Sequence, residues 1–148
     1  MPVASSAPRT TTAFCSMANP KRVHALLALA DEDLAAARTL LATSTRIARY
    51  HAQQSAEKAV KALLEHRDFN PGREHRFEFL AEMLPHDDPW RARILRLDVL
   101  SPAATTHRYP TTEGRILAAP KRDLVEQEIE TVMEIIGDVR NAVGPPPV

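Results

Sequence analysis

Apolar residues recur along most of the chain at three- and four-residue steps, the period of an amphipathic helix. Nowhere do they alternate at the two-residue period of a strand. The first stripe is Val23, Leu26, Leu27, Ala30, Leu34, Ala37 and Leu41, about six turns long. Asn19, a favoured N-cap residue, and Pro20, suited to the first helical position, open it. Thr43, Ser44 and Thr45 break the pattern and offer a cap to a second helix over about 45–65. The apolar face of that helix is made mainly of small residues, Ala52, Ala56, Ala59, Val60 and Leu63. Small side chains let a neighbouring helix come close, so a central place in a bundle is expected. Asn70-Pro71-Gly72 signals a turn. A short third helix over about 75–84 carries Phe77, Leu80, Met83 and Leu84. Asp88-Pro89 repeats the cap-plus-proline start, and a fourth helix runs through Trp90, Ile94, Leu97 and Leu100. Residues 101–119 read as a loop holding Pro102, Pro110 and Gly114. Pro120 is expected to open the last helix, whose stripe is Val125, Ile129, Val132, Ile136, Val139 and Val143, with Gly144 ending it. The pattern predicts an all-α, up-and-down helical bundle of about five helices over 19–144.

Composition narrows this picture. Residues 1–18 are rich in Ser, Thr, Ala and Pro and read as a disordered tail, with Met17 as an alternative start. Residues 145–148 form a proline-rich end. Lys plus Arg balance Asp plus Glu at 19 each, so there is no global basic field and any anion site must be local. The single cysteine, Cys15, excludes a disulfide framework within the chain and fits a reducing cytoplasm. No apolar run is long enough to span a bilayer, so no membrane partner is expected.

Three places offer chemistry. Tyr50, His51, Gln54, Glu57, Lys58 and Lys61 share one stripe of the second helix. The stripe is either a solvated face with a helical Glu57–Lys61 pair or part of an anion site. His107-Arg108-Tyr109-Pro110 sets a guanidinium and an aromatic ring side by side. It is either a phosphate-and-base cradle or a plug packed on the bundle. His75, at the start of the third helix, is a capping residue or an anion donor. His51, His75 and His107 lack the spacing of a metal site, so neither a metal nor a resident cofactor is expected.

Together these residues resemble the HEPN family (higher eukaryote and prokaryote nucleotide-binding domain). Asp33-Leu34 with Ala36 and Ala37 resembles its opening helix. The segment from His51-Ala52-Gln53-Gln54 through Glu57-Lys58 to Lys61-Ala62 resembles its second-helix block. His75 with Leu80 resembles the histidine before its short helix, and Arg108-Tyr109-Pro110 its Arg-Tyr-Pro loop. The resemblance implies a homodimer and nucleotide binding, and the motif residues whose chemistry suits a ligand of the ATP or GTP class are Gln54, Glu57, Lys58, Lys61, His75, Arg108 and Tyr109. It also implies a minimal nucleotidyltransferase partner in a toxin–antitoxin or defence system. A ribonuclease branch of the family carries an Arg followed after four to six residues by a His near a late helix. Arg140-Asn141 begins such a motif, but no His follows among the residues to Val148. Arg46 and His51 match the spacing at the start of the second helix instead. Nucleotide binding is therefore the preferred expectation. A metal-independent RNase acting on RNA and a non-catalytic protein-interaction bundle are the alternatives.

Overall fold

Local chemistry sets the helix starts. The Asn19 side-chain oxygen accepts the backbone N–H groups of Lys21 (3.1 Å) and Arg22 (3.3 Å), and Pro20 follows as the first helical residue. Helix α1 then covers Pro20–Leu40. Ser44 caps α2, Thr45–His66, by accepting from Ile47 N at 3.3 Å. Asp88 caps α4, Pro89–Arg96, by accepting from Trp90 N at 2.8 Å. Between them lies the short α3, Phe77–Glu82. A 3-10 turn, Leu97–Leu100, and the single turn α5, Ser101–Ala104, continue directly from α4, and α6 is Arg122–Val143. The structure, a computed structural model, describes residues 18–148. The expected tail, Cys15 and the alternative start at Met17 lie outside the described residues, apart from Ala18. That residue is tied down: its backbone N–H donates to Asp68 at 2.7 Å.

The bundle is all-helical among the described residues, with three long helices and shorter elements packed on them. Helix α2 is its axis, meeting α1, α3, α5, α6 and the 3-10 turn. Ala48, Ala52, Ala56, Ala59 and Ala62 are fully buried, and so are Leu63 and Leu64. Six consecutive residues, from Ala59 to Leu64, are buried, which occurs only in a helix covered all round. The alanines let α1 approach closely enough for Ser55 Oγ to donate to Ala30 O at 2.7 Å. No described helix is long and apolar enough to cross a membrane.

The end of α2 falls where the sequence suggests, while several later boundaries differ. Helix α2 ends before the Asn70-Pro71-Gly72 turn, in a Schellman arrangement: Phe69 N donates to Leu64 O (2.9 Å) and Asp68 N to Glu65 O (3.1 Å). Asp68 takes the left-handed conformation there, φ 64°, a role more usual for glycine. Helix α3 starts at Phe77 and not His75, because the Glu74 carboxylate holds the N–H groups of His75 and Arg76 outside a helix. The expected loop over 101–119 is helical to Ala104, with Pro102 tolerated in the first turn. Pro120 does not open the last helix; its carbonyl accepts from Thr45 Oγ1 at 2.7 Å, and α6 begins two residues later.

One charged contact crosses the core. Arg49 of α2 grips Glu128 of α6 through two hydrogen bonds, Nε to Oε2 at 2.8 Å and Nη2 to Oε1 at 2.7 Å. The same Nη2 donates to Val99 O in the 3-10 turn at 2.8 Å. Both side chains are only 9% exposed, so each charge depends mainly on its protein partners. Two-point geometry is what makes such a buried pair tolerable. Glu128→Ala, which strands the Arg49 charge, should lower unfolding stability by about 3–5 kcal/mol in urea titrations. The double variant Arg49→Met, Glu128→Leu should recover most of that loss. A single variant as stable as the parent would show that the pair carries no such constraint.

Candidate functional site

The stripe of polar residues on α2 divides into three groups once its neighbours are in place. In the middle, Asp33 of α1 bridges two of them. Its Oδ1 accepts from His51 Nδ1 at 2.9 Å and its Oδ2 from Lys58 Nζ at 2.5 Å. His51 and Lys58 are two turns apart on one face, so a single carboxylate from the adjacent helix reaches both. Lys58 is thus neutralised within the fold.

Toward the C-terminal end of α2, Glu57 is the hub. Its side chain is 8% exposed and takes Lys61 Nζ at 3.1 Å and His75 Nδ1 at 2.7 Å on the same oxygen. Its other oxygen accepts from Gln53 Nε2 at 3.2 Å, and Gln54 Nε2 donates to Gln53 Oε1 at 2.7 Å. Lys61 also donates to Gly72 O at 3.3 Å, tying the helix to the turn that follows it. The Glu57–Lys61 pair expected on a solvated face is therefore buried, and Lys61 is a structural cation. A carboxylate can only accept, so His75 Nδ1 carries the hydrogen, while the side chain as a whole is mostly exposed. Glu74 fixes this geometry by accepting from His75 N (3.0 Å), Arg76 N (2.9 Å) and Arg76 Nε (3.1 Å). The Arg76 side chain, followed by the backbone N–H groups, holds the Glu74 carboxyl down at about 2, well below its ordinary 4.5.

The third group gathers where α2 begins. The Arg108 guanidinium lies over the Tyr50 ring, 4.5 Å from its centroid, and 5.6 Å from that of Tyr109. Among the described residues it has no carboxylate partner. Tyr109 is 66% exposed, so the ring is not a plug in the core. Arg46 stands beside them, but its guanidinium donates to two backbone carbonyls, His107 O (3.1 Å) and Leu117 O. These bonds, with Thr45 on Pro120, hang the irregular segment 105–121 on α2. Connections longer than about 12–15 residues without structure of their own are uncommon and are usually functional or disordered. Two cavities, about 190 Å³ and 510 Å³, flank Arg46, His107 and Arg108 on either side.

The structure therefore brings Arg108 and Tyr109 together with Tyr50 and Arg46. Separately, it joins Gln54, Glu57, Lys61 and His75. Tyr50 and Lys61 are eleven residues apart on one helix, about 16 Å along its axis, so Arg108 and Lys61 do not converge on one small anion. Arg46 and His51 project about 140° apart around α2 and reach different elements. Asp33 and Tyr50 belong to these groups in ways the sequence reading did not assign. Only the packing of α1 on α2 makes Asp33 a bridge.

A model of the HEPN domain matches residues 23–142. No curated protein matches the chain. Among solved structures, an archaeal HEPN homologue superposes with a TM-score of 0.59 at 21% sequence identity, covering 83% of this chain and 98% of that one. At this identity the likeness speaks for the fold.

Two measurements test the hub and its clasp. Lys61→Ala leaves the buried Glu57 with Gln53 and His75 as its side-chain donors and should lower stability by about 1–3 kcal/mol in chemical denaturation. An unchanged midpoint would mean that Lys61 is solvated. Acid titration of Glu74 followed by carboxyl NMR should give a midpoint near 2. Because the folded value is depressed, the clasp's contribution is present above 4.5 and is lost as pH falls through about 2. A midpoint near 4.5 would show the clasp open.

Proposed function

The chain belongs to the HEPN domain family, and from that premise we propose that it is a nucleotide-binding domain whose phosphate contact is Arg108. The observation that carries this reading is the state of that guanidinium: stacked on Tyr50, beside the exposed Tyr109, and without an acidic partner among the described residues. Lys58 and Lys61 are each neutralised by a carboxylate, so the free positive charge of the family-like motifs lies at the loop. Arg offers a planar two-toothed contact to phosphate, and Tyr109 offers a face to a base. The ligand is a nucleotide of the ATP or GTP class.

The proposal extends to partners. The domain works as a homodimer, and Leu95 and Val99, exposed four residues apart on the run from α4 into the 3-10 turn, are apolar surface available to such a contact. It acts beside a minimal nucleotidyltransferase in a toxin–antitoxin or defence-type system. RNA cleavage through Arg46 and His51 has less support. The Arg46 guanidinium is engaged with backbone carbonyls, and His51 with Asp33.

Isothermal titration with ATP and GTP tests the reading. Arg108→Ala should weaken binding tenfold or more, about 1.4 kcal/mol, while the melting temperature stays near the parent's, because an exposed charge contributes little to folding. Equal affinity for parent and variant would remove Arg108 from the site. Absence of nucleotide binding by the parent would leave a protein-interaction bundle as the better account.

A further inference from the structure

We infer that the smaller cavity beside Arg108 is a nucleobase pocket and that His107 reads the edge of the base; this rests on the nucleotide-binding reading above. The cavity, about 190 Å³, is walled by Ile47, Tyr50 and Ala103, with Arg46, His107 and Arg108 at its polar side. Sites that bury a whole drug-sized ligand measure about 300–1,000 Å³, so this one takes a single ring system. The apolar walls suit a flat heterocycle better than a charged group.

His107 supplies the second observation. Among the described residues, its Nδ1 is the one buried side-chain nitrogen or oxygen without a hydrogen-bond partner. Native interiors rarely leave such an atom unsatisfied, and each instance calls for an explanation. The backbone that carries the ring is fixed: His107 N donates to Pro102 O at 2.9 Å and His107 O accepts from Arg46 at 3.1 Å. A nucleobase edge carries both donors and acceptors and can complement either tautomer of the imidazole. Nδ1 is covered in the free protein, so the contact requires side chains on this wall to shift. Arg108 is suited to do so: its side chain is exposed and, among the described residues, is held by ring stacking. The larger cavity, about 510 Å³, lies past the same three residues, bordered by Tyr109, Pro110 and Ile116. It has room for the ribose and phosphates, with Arg108 standing between the two compartments.

His107→Phe tests the assignment, because it keeps a planar ring and removes both nitrogens. The free variant should melt at a higher temperature than the parent, since carbon replaces an unpartnered buried nitrogen. Its affinity for ATP and GTP should fall tenfold or more, while its affinity for inorganic tripolyphosphate should match the parent's. His107→Asn, which restores a polar group in the same place, should recover part of the nucleotide affinity, and this holds the test open should the Phe variant misfold. Nucleotide affinity unchanged in His107→Phe would overturn the inference, as would equal loss of nucleotide and tripolyphosphate. If the parent binds ATP no better than tripolyphosphate, the base pocket falls while phosphate binding at Arg108 stands. If the parent binds neither, both readings fall.

Discussion

The Arg49–Glu128 pair joins the central helix to the last one where both side chains are nearly buried. That contact expresses a constraint governing the whole bundle. Helix α2 is enclosed on nearly all sides, so every polar group it carries must find a partner among its neighbours. Its alanines permit the enclosure by letting α1 and α6 approach closely. Its polar residues then fix how those neighbours are placed. Arg49 sets α6 and the 3-10 turn, Ser55 and Lys58 set α1, and Glu57 with Lys61 sets the turn at Gly72 and the ring of His75.

This constraint also sorts the candidate site. Charges drawn into the enclosure are neutralised there and cannot grip a ligand. What packing leaves over lies at the start of α2, where Thr45 and Arg46 suspend the segment 105–121 from the helix. That segment keeps in one place an exposed tyrosine and, among the described residues, a guanidinium without a carboxylate partner and an imidazole nitrogen without a hydrogen bond. The rigid part of the fold thus positions the loop, and the loop keeps the chemistry.

Much of this was legible in the sequence because it is local. The caps at Asn19 and Asp88, the three long stripes and the central place of the alanine-rich helix follow from spacing alone. The Glu57–Lys61 spacing was legible too, but its burial was not, because burial depends on which elements cover that face. Arg49–Glu128 had a signal that went unread. Glu128 stands among Val125, Ile129 and Val132, on the apolar stripe of α6, and a charge in that position demands a buried partner. The Asp33 bridge had no such signal, since its partners lie on another helix. The Arg-Tyr-Pro loop was found by its residue types. Its separation from the lysines became apparent only with the length of α2 between them.

The central claim is that the ligand meets the loop end of α2 and not the Glu57 hub. Titrating ATP into ¹⁵N-labelled protein and following amide chemical shifts tests it most directly. The account predicts saturable shifts concentrated at residues 46–50 and 103–116, with residues 57–61 and 72–76 nearly still. Shifts concentrated at Lys61, Gly72 and His75 with a silent loop would contradict it.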